Sequence, residues 1–175
     1  MQGYLKEKIP VLCVLGLGSN TPCKDISCTG IINAAAAELK KTLANVKLSP
    51  LYKTEPLHVT DQSPFINAAL SGFFPESADK LLELIQKVEA KYGRDRSKER
   101  RWGERTLDID ILLFGDLVMS EDALTIPHPR LKERAFALQP LLDLLPDEAE
   151  PGTGKKYRDI LAQLPYQEIE PCIGQ

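Results

Sequence analysis

Arg101-Trp102-Gly103-Glu104-Arg105-Thr106-Leu107-Asp108-Ile109-Asp110-Ile111-Leu112-Leu113 closes a polar loop and opens a strand in this chain of 175 residues. From Thr106 to Phe114 apolar and polar side chains alternate, so Leu107, Ile109 and Ile111 should share one face and Asp108 and Asp110 the other. Two residues of rise, about 6.6 Å, would separate the aspartates. Like charges so placed need a counter-charge, and a hard divalent cation such as Mg2+ accepts one or two carboxylates and completes its shell with water and phosphate. Immediately upstream Lys91, Arg94, Arg96, Lys98, Arg100, Arg101 and Arg105 are opposed only by Asp95, Glu99 and Glu104. Taken alone, the Asp-x-Asp is a solvated strand face and the basic run an exposed loop. Carboxylates for a metal beside guanidiniums for phosphate are together the chemistry of a nucleoside triphosphate site.

The run Arg101 to Leu112 resembles the signature of the hydroxymethyldihydropterin pyrophosphokinases, a family of folate synthesis. Further landmarks are Gly16-Leu-Gly-Ser-Asn20, Tyr52-Lys-Thr54, Phe65-Ile-Asn67 and Ile126-Pro-His-Pro-Arg-Leu-Lys-Glu-Arg-Ala-Phe136. The resemblance runs from Val14 to about Leu145. It implies an ATP-dependent diphosphotransferase that moves the terminal diphosphate of ATP onto 6-hydroxymethyl-7,8-dihydropterin and releases AMP. It also implies two Mg2+ ions on Asp108 and Asp110, with Arg94 and Arg105 as the catalytic pair of guanidiniums. Gln86, Glu89, Arg96, Arg101, Trp102, His128 and Arg134 match nucleotide-side positions. Thr54, Pro56, Leu57, Phe65, Asn67, Trp102 and Phe136 match the pterin pocket, with the two phenylalanines stacking and Asn67 reading the ring edge. Some relatives carry tyrosine at the position of Phe65, so a hydroxyl contact there is absent. Without the resemblance, Phe65, Asn67 and Phe136 read as core, His128 as a loop histidine with a local hydrogen bond, and Gln86 and Glu89 as solvated.

The remaining features narrow the class. A net charge of -3 argues against general affinity for nucleic acid, and the aromatic ribonucleoprotein motifs are missing. A different Asp-x-Asp metal transferase is separated from this reading by its products. The four cysteines, Cys13, Cys23, Cys28 and Cys172, match no zinc spacing. No stretch approaches the roughly 20 apolar residues of a membrane span. The apolar run Ile9 to Leu17 is short, contains Pro10 and lacks a cleavage site, which makes it a buried strand and not a signal segment. A cytoplasmic monomer with reduced thiols, acting on small molecules, is expected. Gly16-Leu-Gly-Ser-Asn20 lacks the third glycine of a dinucleotide fingerprint. Gly152-Thr-Gly-Lys-Lys156 lacks the first glycine and the Ser/Thr of a P-loop, leaving a surface turn.

After a loose leader, residues 1–8, Val11 to Gly16 reads as a strand. Thr29 is a candidate N-cap for a helix to about Leu43, with Ile32, Ala35, Ala36, Leu39 and Leu43 as its buried stripe. Val46 to Lys53 reads as an edge strand because of Pro50. The strand Phe65 to Phe74 should place Phe65, Asn67, Ala69 and Ser71 on one face and Ile66, Ala68 and Leu70 on the other. Ser77 caps a helix from Ala78 to Tyr92 that Gly93 ends. The 12-residue loop Arg94 to Arg105 is long enough to be functional, with Trp102 expected to cover bound substrates. The prediction is an α+β fold of one domain over 1–175: a ferredoxin-like β-α-β-β-α-β core, an antiparallel sheet with helices on one face, and a C-terminal extension. In that extension Leu124 to Ile126 is a short strand. Leu131 to Leu145 is helical with a break at Pro140, and Tyr157 to Leu164 is a short helix.

Overall fold

The computed structural model describes residues 9–56, 61–94 and 103–172. Its centre is β1 (Val11–Ser19), flanked by β5 (Asp108–Phe114) and β4 (Phe65–Phe74). The outer edge of β4 is shared by β2 (Ala44–Leu48) and β3 (Tyr52–Thr54), and β8 (Ile169–Pro171) adds to β3. Every pairing in this sheet is antiparallel. A separate two-stranded pair joins β6 (Met119–Ser120) to β7 (Thr125–Ile126).

The strand expected over Val46 to Lys53 is divided. Pro50 has no N–H to give a ladder, and Ser49 stands in at the break. Its N–H donates to the Ala69 carbonyl at 2.9 Å and its Oγ accepts from the Ala69 N–H at 2.9 Å. Both halves therefore stay on the edge of one strand.

One face of the sheet follows the alternation. Leu15, Leu17, Ala68, Leu70, Ile109 and Ile111 are buried against α1 (Cys28–Leu39) and α2 (Ala78–Lys91). The anticipated stripe of α1 is buried, Leu43 included. Its cap is Ser27, not Thr29: the Ser27 Oγ accepts from the Gly30 N–H at 3.1 Å. The helix also ends at Leu39, because Lys41 and Thr42 turn to i−3 carbonyls. Ser77 caps α2, and Gly93 with φ +86 ends it in the left-handed region.

The other face is half covered, where helices on a single face were expected. Val14, Ala69, Leu112 and Leu113 pack beneath α3 (Ala135–Leu144) and α4 (Tyr157–Gln163). A β-bulge allows this. Val14 pairs with Leu113 but Leu15 with Ile111, so Leu112 is the extra residue and faces the second layer.

The segment Leu131 to Leu145 breaks at Arg134, not at Pro140. A 3-10 turn (Leu131–Glu133) ends at Arg134, whose φ of -120 and ψ of 96 are extended, and α3 then runs through Pro140. Pro140 lies buried within α3, so the apolar layer holds the helix despite the missing N–H. Gly152 and Gly154, both with positive φ, make the anticipated turn. No helix among the described residues is long and apolar enough to cross a membrane.

Candidate active site

The uncovered half of the second face is a cleft of about 910 Å³, open solvent at its mouth included. Its floor is set by strand register. Asn67, Gly18 and Asp108 form one cross-strand row, and Ala69, Gly16 and Asp110 the next. The two glycines of Gly-Leu-Gly-Ser-Asn thus lie between the aspartates and β4, where a side chain would fill the floor. A Cβ at Gly18 would stand 3.1 Å from Asn67 Oδ1, and one at Gly16 would stand 3.2 Å from the Leu112 side chain.

At the acidic side Asp108 is gripped by two guanidiniums. Its Oδ1 accepts from Arg94 at 2.5 Å and its Oδ2 accepts from Arg105. Burial opposes the charge on Asp108, but Arg105 and Arg94 outweigh it and hold the carboxyl below its ordinary range. Behind them Glu89, 1% exposed, accepts from Arg94 and from the Ile109 N–H, the latter at 2.8 Å. Glu89 joins α2 to β5 from within; Gln86 is exposed on α2, and neither lines the cleft. Arg94 is equally deep, at 6% exposure, whereas Arg105 lines the cleft.

Asp110 differs although it is two residues away on the same face. Burial and the charge of Asp108 push its carboxyl up to about 6. Arg134 lies 3.5 Å from its Oδ2. His128 Nε2 lies 3.6 Å from the same oxygen, too long for a hydrogen bond. Burial, then Arg134, push the imidazole down to about 4, so it is neutral at pH 7 and no ion pair forms. Its Nδ1 accepts from the Arg130 N–H at 3.2 Å, which assigns the proton to Nε2, on the Asp110 side.

The opposite wall is aromatic and amide. Phe65 and Phe136 line it, with Thr54 and Pro56, and Asn67 Nδ2 donates to Thr54 Oγ1 at 2.8 Å. The Arg134 guanidinium sits 5.6 Å from the Phe136 ring centroid, in cation–π range, and so touches both ends of the site. The structure therefore brings together Thr54, Pro56, Phe65, Asn67, Arg105, Asp108, Asp110, His128, Arg134 and Phe136. Leu57, Arg96, Arg101 and Trp102 lie outside the described residues.

Sequence reasoning missed Asn20, Glu55 and Gln62. Asn20, 2% exposed, closes the glycine motif and grips Arg105: its Oδ1 accepts from the Arg105 N–H at 2.7 Å and its N–H donates to the Arg105 carbonyl at 3.0 Å. Its Nδ2 also donates to the Ser63 carbonyl and Gln62 Oε1, each at 3.2 Å. Its place at the end of the motif was a usable signal. Glu55 and Gln62 line the cleft from a segment without periodicity.

Residues 14–146 match the family model described as 7,8-dihydro-6-hydroxymethylpterin-pyrophosphokinase. The chain belongs to this family. The chain is 38% identical over 156 residues to a 2-amino-4-hydroxy-6-hydroxymethyldihydropteridine pyrophosphokinase of Methylorubrum extorquens, covering 89% of this chain and 95% of that one. It is 41% identical over 129 residues to the Pseudomonas aeruginosa protein of the same name, covering 74% and 78%. A folate synthesis bifunctional protein of Arabidopsis thaliana is 47% identical over 100 residues, 57% of this chain and 20% of that protein. Among solved structures, wild-type Plasmodium falciparum HPPK-DHPS superposes with a TM-score of 0.67 at 16% identity, over 90% of this chain and 45% of that one. That likeness speaks for the fold alone.

Proposed function

We propose that this pyrophosphokinase transfers the terminal diphosphate of ATP to 6-hydroxymethyl-7,8-dihydropterin, a step of folate synthesis, in the cleft above Gly16 and Gly18. The observation that carries the reading is a single cleft with guanidiniums and carboxylates at one end and an aromatic-amide wall at the other. In the reaction the pterin hydroxymethyl oxygen forms a bond to the β-phosphorus and gives up its proton to solvent, while the bond from that phosphorus to the α-bridging oxygen breaks, so AMP leaves. Phe65 and Phe136 would take the faces of the ring and Asn67 its edge. Arg105 would meet phosphate oxygens, with the Asn20 clamp fixing its backbone. Arg94 and Glu89 then act from behind by setting Asp108. Arg134 bridges the two substrates' positions, and the neutral His128 offers its Nε2 proton as a donor.

The donor set fits a hard divalent cation: two carboxylates on one face, one of them pushed up to about 6 by burial and by the charge of the other. Mg2+ held by Asp108 and Asp110, as two ions along the triphosphate, would relieve charge on the transferred and leaving groups. The order β5-β1-β4 followed by the interrupted edge β2/β3 supports a ferredoxin-like core within one domain. A cytoplasmic monomer without nucleic-acid partners is the form we expect to act.

Incubation with ATP, Mg2+ and the reduced pterin should yield AMP and the pterin diphosphate in equal amounts, with no AMP when either Mg2+ or pterin is omitted. Formation of ADP, or of inorganic pyrophosphate with a nucleotide adduct, would sink the reading. Arg105→Ala should lower turnover by roughly 10², the order for losing one transition-state charge partner. Arg94→Ala should show first as lost thermal stability, since its guanidinium lies behind the cleft. Kinetics and melting of the two variants side by side check this.

A further inference from the structure

Residues 147–172 lie beyond the stretch that matches the family, yet they return beside the cleft, where Gln167 and Ile169 share a smaller hollow with Thr54, Pro56 and Phe136. After α4 the chain runs back to pair with β3 as β8. On the way Gln167 makes two hydrogen bonds with one amide. Its Oε1 accepts from the Ala135 N–H at 3.0 Å, and its Nε2 donates to the Glu133 carbonyl at 3.0 Å. Those two backbone groups flank Arg134 on either side.

Arg134 needs such support. It is the extended residue between the 3-10 turn and α3, and its own side chain caps neither the turn nor the helix. The Ala135 N–H is one of the donors that a helix start leaves without an internal partner. An amide from 32 residues away supplies the acceptor, and the same amide ties down the preceding carbonyl. Arg134 and Phe136 leave this clamped stretch towards Asp110 and the aromatic wall. Only glutamine has both the reach and the two polarities. Alanine loses both bonds, and a glutamate would set an anionic oxygen against the Glu133 carbonyl.

We propose that Gln167 is a positioning residue for substrate binding, holding Arg134 and Phe136 at the junction of the pterin and phosphate ends of the cleft. The role rests on the function proposed above. It does not touch Arg105, Asp108 or Asp110, so its loss should weaken binding and spare the chemical step, a change in KM and not in kcat.

Gln167→Ala, Gln167→Glu and the control Glu170→Ala, an exposed change on β8, would be compared with the parent in two measurements. In the AMP assay, Gln167→Ala and Gln167→Glu should raise KM for the reduced pterin about tenfold or more with kcat within about threefold, while Glu170→Ala stays at parental values. By hydrogen exchange, the peptide over residues 133–137 should exchange faster in both Gln167 variants while the rest of α3 keeps its protection. Parental KM in Gln167→Ala would overturn the proposal, as would a loss in kcat at unchanged KM. Unchanged exchange over 133–137 would overturn the clamp itself. A parent that forms no AMP would overturn the functional reading instead, and the exchange result would then decide the clamp alone.

Discussion

Asp108→Asn is expected to destabilise the metal-free protein by about 3 kcal/mol or more, the order for breaking a buried ion pair from one side. Asp110→Asn, two residues along the same face, is expected to stabilise it. The contrast follows from their neighbours. Asp108 answers both Arg94 and Arg105; without it Arg94 keeps Glu89 and Arg105 loses its carboxylate. Burial, then the charge of Asp108, weigh against the Asp110 carboxylate. Because its folded carboxyl is raised from 3.8 to about 6, the protonated form is the one that folding favours. Its penalty is absent below the unfolded value and fully present above about pH 6, so the parent loses stability as pH rises through that window. Asp108 has the opposite sign: its lowered carboxyl adds stability above the ordinary value, and that is lost as pH falls through the folded one. The Asp110 side chain is 38% exposed, so solvent screening limits the gain in Asp110→Asn to about 1 kcal/mol, or roughly 3 °C. Melting in a chelator from pH 4 to 8 should show the acid-to-neutral slope flattened in Asp110→Asn. Added Mg2+ and ATP should raise the parent and neither variant. Both variants should fall to about 1% of parental AMP formation or less, several kcal/mol of transition-state charge stabilisation being lost. An Asp108→Asn protein as stable as the parent would show that the arginines do not depend on it.

That contrast was not legible in the sequence, though the shared face was. Alternation works where one side of a strand is buried, and it set Leu107, Ile109 and Ile111 inward and both aspartates outward. The same rule sorted Phe65, Asn67 and Ala69 from Ile66, Ala68 and Leu70. It could not see which aspartate the arginines take, because Arg94 reaches Asp108 from the end of α2 and is itself held by Glu89. Nor could it see the bulge at Leu112, which depends on a two-against-one pairing with β1. Local rules placed the break of the last long helix at Pro140. It falls at Arg134, where the backbone is satisfied by Gln167, a partner far along the chain. Prolines in the last segment, Pro165 and Pro171, hid β8, whose three residues are too few for any period to emerge.

Gly18→Val should abolish pterin binding without unfolding the protein. Valine favours strands where glycine weakens them, a gain of roughly 0.5–1 kcal/mol for the fold. The substrate meets the opposite effect. The new Cβ would stand 3.1 Å from Asn67 Oδ1, and Asn67 cannot retreat freely because its Nδ2 is tied to Thr54. Two more methyl groups would stand in the floor between Asn67 and Asp108, where the ring is proposed to lie. Affinity for 6-hydroxymethylpterin, titrated calorimetrically with a non-hydrolysable ATP analogue, should fall by about 10² or more, near 3 kcal/mol. Melting should stay within about 3 °C of the parent. Gly16→Ala supplies the contrast. Its methyl group meets the Leu112 side chain at 3.2–3.4 Å, at the edge of the layer under α3, so the cost should appear as about 1 kcal/mol of packing with binding largely kept. If Gly18→Val binds the pterin as the parent does, the ring does not lie over the Asn67–Gly18–Asp108 row, and the aromatic wall of Phe65 and Phe136 must serve some other ligand.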